Sequence, residues 1–145
     1  MTEIVTLSQE ETEKEALRFA ENLIKKAIKS GVFCLKGDLG AGKTTFVRAF
    51  SKAMGIDPCL VKSPTYTYLR EYKGNELIIY HFDFYRLNEA DDMIINELIE
   101  KTDKNNGFIL IEWPEKIEHI LPKSKVEIIF EISAEKNKRK IIIND

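Results

Sequence analysis

The stretch that most restricts the fold of this chain is the apolar run Val32, Phe33, Cys34, Leu35, followed almost at once by GDLGAGKTTF, residues 37–46. Glycines at 37, 40 and 42 allow positive φ and let another group come within hydrogen-bonding distance of the main chain. Gly37, Gly42, Lys43 and Thr44 fit the spacing G-x-x-x-x-G-K-[ST], in which loop amides cradle phosphates, the lysine reaches the terminal ones and the hydroxyl binds magnesium. A glycine turn ahead of an exposed lysine could give the same string, so the flanks decide. They supply a buried strand before it and a helix after it. Residues 44–54 contain no Pro or Gly, and Phe46, Val47, Phe50 and Met54 recur at helical spacing before Gly55. The reading is a phosphate-binding loop in which Gly37, Asp38, Leu39, Gly40, Ala41, Gly42, Lys43, Thr44 and Thr45 hold a magnesium nucleotide.

A length of 145 residues suits one domain over 1–145. With 22 basic and 24 acidic residues the net charge is -2, so no global positive field marks a nucleic-acid binder. Any RNA connection is expected to run through a partner. Cys34 and Cys59 form no CxxC pair, and Cys34 reads as a small buried thiol within a strand. The opening residues show no basic segment followed by an apolar stretch, and no run approaches the ~20 apolar residues of a membrane span. The expected location is a reduced cytoplasm.

Elsewhere, residues 4–7 read as a short strand, and Ser8 with Glu11 forms a capping box. The helix it opens is predicted to run to about Lys29, with Leu17, Ala20, Leu23, Ile24, Ala27 and Ile28 on one face and Gly31 as the stop. Residues 56–63, with Pro58 and Pro64 at hand and no periodicity, read as an ordered or mobile loop. Residues 66–72 and 76–85 are β-rich and read as a hairpin turning at Lys73, Gly74 and Asn75. Asn88 is expected to cap a helix whose first turn carries Glu89, Asp91 and Asp92 and whose apolar side is Ile94, Ile95, Leu98 and Ile99. Residues 108–111 form a continuous apolar strand, Pro114 opens a short helical piece, and 126–133 with 138–143 make a second hairpin. Two strands apolar throughout imply a parallel centre buried on both faces, to which the hairpins add antiparallel strands. The predicted fold is a three-layer α/β sandwich with a mixed, partly parallel central sheet and its ligand at the carboxyl ends of the central strands.

A magnesium nucleotide needs an acid besides the hydroxyl of Thr44, usually at the end of a neighbouring buried strand. Glu112, closing FILIE, is the candidate, directly or through water, against the alternative of a solvated acid just past a strand. In YHFDFYR, alternation sends Tyr80, Phe82 and Phe84 to one face and His81, Asp83 and Tyr85 to the other. That polar row is either a solvent-facing surface or part of the site. In the second case Asp83 orients the attacking water or stands behind the magnesium, and His81 supports it by hydrogen bonding. SPTYTY, residues 63–68, places hydroxyls where a loop could order around a γ-phosphate or simply enter a strand. Trp113 reads first as core packing, and Lys136, Lys138, Arg139 and Lys140 as a solvated turn or, second, a nucleotide or partner contact.

GDLGAGKTTF, SPTYTY, HFDFYRL and IEWPE, in this order, closely resemble the bacterial TsaE family over about residues 4–133. The resemblance implies a P-loop NTPase-like fold and an ATPase, with ATP and Mg2+, required for the threonylcarbamoyladenosine (t6A) modification of tRNAs that read codons starting with A. It implies binding to the TsaD and TsaB proteins, which perform the transfer, with ATP hydrolysis resetting that pair; tRNA is met indirectly, and neither DNA nor membrane is a partner. Carried over, Lys43 binds phosphate, Thr44 and Glu112 hold magnesium, Thr65 lies in a switch-like loop, Asp83 is the acid of its motif, and Trp113 is the aromatic beside the metal-binding glutamate. Lys136 near the nucleotide is a weaker carry-over, because the C-terminal hairpin is less diagnostic. Two other enzyme readings share the phosphate loop. A small-molecule kinase wants a lid of arginines, whereas the five here are scattered; a GTP switch wants NKxD, whereas Asn137 and Lys138 precede Arg139 and Lys140. An assembly module that binds nucleotide without needing hydrolysis also fits.

Overall fold

Strands that are apolar on both sides can be stable only where layers cover both sides, and the sheet is built around two of them. The computed structural model describes residues 1–64, 67–88 and 91–145. In chain order the elements are β1 (Thr2–Thr6), α1 (Gln9–Lys25), β2 (Gly31–Lys36), α2 (Lys43–Ala53), a 3-10 turn (Pro58–Leu60), β3 (Leu69–Lys73) and β4 (Ile78–Asp83). They continue with α3 (Asp92–Lys104), β5 (Gly107–Glu112), a 3-10 segment (Pro114–Ile120), β6 (Val126–Ile132) and β7 (Arg139–Asn144). The strands form one sheet in the order β1-β7-β6-β2-β5-β4-β3. β2, β4, β5 and β6 run parallel in the middle, while β3, β7 and β1 are antiparallel to their neighbours. The predicted mixed sheet and three layers are the ones observed.

Alternation along β2 and β5 divides the core in two. Phe33, Leu35, Phe108 and Leu110 meet α1 and α2 through Ala16, Ala20, Phe46 and Phe50. Rings interlock there: Phe19 stands edge-on to Phe33 with centroids 5.4 Å apart, and Phe50 to Phe108 at 5.4 Å. On the other face Val32, Cys34, Ile109 and Ile111 pack with Tyr80, Phe82 and Phe84 against α3 and the 3-10 segment, through Ile94, Leu98 and Ile117. Burial pushes the Cys34 thiol up to about 12, so it stays protonated and inert as a packing residue. Among the described residues no helix is long and apolar enough to cross a membrane.

Three of the boundaries that differ from the sequence expectation do so for a clear local reason. α1 stops at Lys25, not near Lys29, because Ala27 turns left-handed at φ 55 and closes a Schellman motif: Ile28 N donates to Leu23 O at 2.9 Å and Ala27 N to Ile24 O at 3.0 Å. Ile24 and Ile28 are accordingly exposed rather than buried. α3 is capped by Asp91, whose carboxylate accepts from Ile94 N at 2.9 Å, so Asn88 lies upstream of the helix; Glu89, expected in the first turn, is outside the described residues. β4 ends at Asp83, short of Tyr85, because the Asp83 side chain accepts from Tyr85 N at 2.9 Å and bends the chain there.

Ala27→Gly removes the steric penalty of a left-handed alanine at that C-cap. It should stabilise the protein by roughly 0.5–1 kcal/mol, read as a rise in urea midpoint at unchanged slope.

Candidate nucleotide site

The site is set by strand register. Parallel pairing puts Leu35 opposite Glu112 and Asp83 opposite Glu112, so the carboxyl ends of β2, β5 and β4 finish on one line. From that line the chain leaves β2 into the glycine loop and re-enters structure at α2. Gly37 sits at φ +148, and a Cβ there would lie 2.5 Å from the carbonyl oxygen of Phe130, so only glycine passes beneath β6. Gly42 caps α2 in the left-handed region with no side-chain hydrogen bond, and the first turn carries no acid. The opening amides of α2 therefore point outward at the positive end of the helix dipole, an arrangement suited to an anion.

Lys43 is only 6% exposed. Its ammonium donates to Gly37 O and to Asp38 O (2.9 Å) and lies 4.3 Å from the centroid of the Trp113 ring. Trp113 reaches this position because its own backbone is left-handed at φ 57, and Tyr85 packs on it with centroids 4.9 Å apart. Burial lowers the Lys43 pKa, opposed by the charges of Glu112 and Asp83. A cation held in this way between two carbonyls and an aromatic face is poised to bind a more strongly charged acceptor.

Glu112 is 2% exposed. One carboxylate oxygen accepts from Thr44 Oγ1 at 2.8 Å and the other lies 3.4 Å from His81 Nε2. Burial disfavours its charge, but the histidine and the Thr44 hydroxyl outweigh burial and hold its pKa below the usual carboxylate range. Asp83 accepts from Ser63 Oγ at 2.7 Å and from Tyr85 N, yet burial and the charge of Glu112 raise its pKa. Two acids at adjacent strand ends are thus pushed in opposite directions, one a firm carboxylate and one with greater proton affinity.

A cavity of 190 Å³ opens over these groups, lined by residues 39–45, Ser63, Asp83, Glu112 and Trp113. A second, of 140 Å³, flanks the same loop on its other side, between Ser8, Gln9 and Thr12 at the start of α1 and Asn137 and Arg139 at the start of β7. Arg139 Nη2 donates to Gly40 O at 3.3 Å. Sequence reading did not find this recess: Ser8 is accounted for as a helix cap, and Arg139 meets Gly40 across 99 positions of chain. Lys136 lies exposed in the β6–β7 turn and lines neither cavity. Thr65 is outside the described residues. Among the described residues no three His, Cys, Asp or Glu side chains cluster as a metal cage. One hydroxyl paired with one carboxylate suits Mg2+, which keeps waters and takes phosphate oxygens instead of filling its sphere with protein.

The family model of the threonylcarbamoyl adenosine biosynthesis protein TsaE matches residues 8–141. The chain is similar to the tRNA threonylcarbamoyladenosine biosynthesis protein TsaE of Rickettsia conorii, 39% identical over 132 residues, covering 91% of this chain and 71% of that one. It is 36% identical to the TsaE of Aquifex aeolicus over 135 residues, 92% and 91% of the two chains. With the TsaE of Bacillus subtilis it shares 40% identity over 99 residues, which span 68% of this chain and 60% of the relative's length. The crystal structure of YdiB from Bacillus subtilis superposes with a TM-score of 0.72 at 29% identity, covering 97% of this chain and 82% of that one.

The raised proton affinity of Asp83 has a measurable sign. A carboxyl whose folded pKa lies above its unfolded value contributes stability below the unfolded value, about pH 3.9, and loses it as pH rises through the folded value. Asp83→Asn is therefore expected to melt a few degrees higher than the parent at pH 7.5 in the absence of nucleotide, the gap closing near pH 4. An equal or lower melting temperature at pH 7.5 would count against this assignment.

Proposed function

The chain belongs to the TsaE family, and from that premise we propose that it is a magnesium-dependent ATPase serving the threonylcarbamoyladenosine modification of tRNA. The observation that carries this reading is the Thr44–Glu112 contact at the mouth of an uncapped helix, beside a buried lysine. In this reading the amides of residues 37–45 hold the phosphates. Lys43 gives up the carbonyls of Gly37 and Asp38 for the terminal phosphate oxygens, as expected of a cation already stripped of most of its water. Thr44 and Glu112 hold Mg2+, which when bound neutralises charge on the phosphate oxygens. Asp83, steadied by Ser63 and Tyr85 N, orients the attacking water and takes up its proton, a role that suits a carboxyl of increased proton affinity. Water oxygen bonds to the γ-phosphorus as the bridging bond breaks, leaving ADP and phosphate. The recess between Ser8, Gln9 and Arg139 takes the nucleoside end of ATP, since it adjoins the same loop on the side away from the acids.

The relatives' names place them in tRNA t6A biosynthesis, and the net charge of -2 favours a protein partner over direct contact with tRNA. We assign that partner as the TsaD and TsaB proteins of the cytoplasm, reset by hydrolysis between turnovers. Lys43 is the one cation among the described residues lining the phosphate-side cavity. A further cation delivered to such a site is worth roughly 10³ to 10⁵ in rate, so hydrolysis by the isolated chain should be slow.

Lys43→Ala tests the site. At ATP a hundred times its Kd, the parent with magnesium should gain about 2.7 kcal/mol in stability, and the variant none. Retained protection in the variant removes the assignment. The partner reading is tested separately by phosphate release with and without added TsaD and TsaB: turnover should change in their presence, and identical rates overturn it.

A further inference from the structure

Two polar side chains are buried more deeply than the proposed chemistry needs. His81 is fully buried and Tyr72 is 6% exposed, on neighbouring antiparallel strands. His81 Nε2 lies 3.4 Å from Glu112, and its other ring nitrogen, Nδ1, lies 3.2 Å from the Tyr72 hydroxyl. That hydroxyl meets both main-chain groups of Lys62, lying 3.1 Å from its oxygen and accepting from its amide at 3.4 Å. The next residue, Ser63, donates to Asp83. Asp83 in turn stands opposite Glu112 in the sheet, so the path from Glu112 through His81, Tyr72, Lys62 and Ser63 returns to the paired acid.

We propose that Tyr72 and His81 are positioning residues that couple the loop at 61–64 to the metal-holding carboxylate Glu112. The inference rests on the nucleotide reading above and deepens it. If the pair were only packing, apolar residues of the same shape would serve as well or better, because buried polar groups cost stability unless every member is satisfied. Here each side chain of the path bonds its neighbour along it, and both ends of the path are acids of the site. With the ring proton on Nε2 facing Glu112, Nδ1 accepts the one hydroxyl proton of Tyr72, and the Lys62 amide, donating to the hydroxyl oxygen, keeps the loop joined to the path. With one oxygen of Glu112 tied to His81, the other is left facing Thr44. The same tie fixes the loop residue that steadies Asp83. A change in what Glu112 holds is thereby felt at Lys62 and Ser63, and a shift of the loop is felt at both acids.

Tyr72→Phe removes the hydroxyl and leaves the ring in place. The probe is the non-hydrolysable analogue AMPPNP, titrated into parent and variant with and without Mg2+, together with amide hydrogen exchange over residues 58–64. Supporting groups behind metal ligands typically contribute 10–100-fold to metal affinity. The affinity gained on adding Mg2+ should therefore fall about 10-fold in the variant, with metal-free AMPPNP affinity within about twofold of the parent. The slowing of exchange at 58–64 on Mg-AMPPNP binding, expected in the parent, should be lost. A variant with the parent's magnesium gain and exchange response overturns the coupling and leaves the nucleotide reading intact. Equal weakening with and without Mg2+ also overturns it, since that marks a general loss of packing. A parent that binds no AMPPNP, or binds it indifferently to Mg2+, fails at the earlier step and takes both readings down. His81→Gln, which keeps a donor toward Glu112 without reaching Tyr72, should reproduce the loss of the exchange response; a normal response there again overturns the coupling.

Discussion

The structure depends on keeping two acids and a lysine together where little water reaches them. Glu112, Asp83 and Lys43 are all buried, and charges taken out of water are costly unless geometry and hydrogen bonds compensate. Compensation here is uneven. Glu112 is held by a histidine and a threonine, Lys43 by two carbonyls and a ring, while Asp83 has two donors and still resists ionisation. The imbalance is confined to the loop and strand ends, where a ligand of opposite charge pattern could relieve it. Below that line the interior is almost wholly apolar.

Register makes this confinement possible. Parallel strands end at the same edge only if their pairing is fixed to the residue, since a one-residue slip sends every side chain to the other face. In β5 such a slip would put Glu112 among Tyr80 and Ile117 and drive Ile111 toward the loop. Aromatic interlocking of Phe33, Phe50 and Phe108 on one face, and the close approach of Gly107 to Ile78 on the other strand, leave no room for it. The core and the site thus share a determinant: the packing that stabilises the sheet also aligns its acids.

What the sequence revealed follows from how local each signal is. The glycine loop between β2 and α2 and the place of Glu112 at the end of β5 are legible because glycine spacing, helix period and a wholly apolar strand are short-range patterns. The face carrying His81 and Asp83 is legible from alternation alone. The end of α1 is not, because the left-handed position that closes it is alanine where glycine would have been the signal. Nor is the start of α3, where Asn88 and Asp91 are both competent caps and only the fold selects between them. The recess at Arg139 and the path through Tyr72 escape for a further reason. Each depends on strands brought together from distant parts of the chain, and nothing in REYK marks its tyrosine as different from any other aromatic on an edge strand.

That edge position bears on how the site can respond. Among the described residues β3 is the last strand of the sheet, paired on one side only, and so among the elements easiest to displace. Glu112 and β2 lie at the centre, locked by layers on both faces. A path running from the central acid through β4 to the edge strand and its loop therefore joins the most rigid part of the molecule to one of the least. Free energy from a ligand at Glu112 cannot deform the centre, which is close-packed, and is expressed instead where the restoring forces are weakest. Under the coupling proposed above, a loop so attached would change with the contents of the site while the scaffold that positions those contents stays fixed, which is the property a nucleotide-gated interaction with another protein requires.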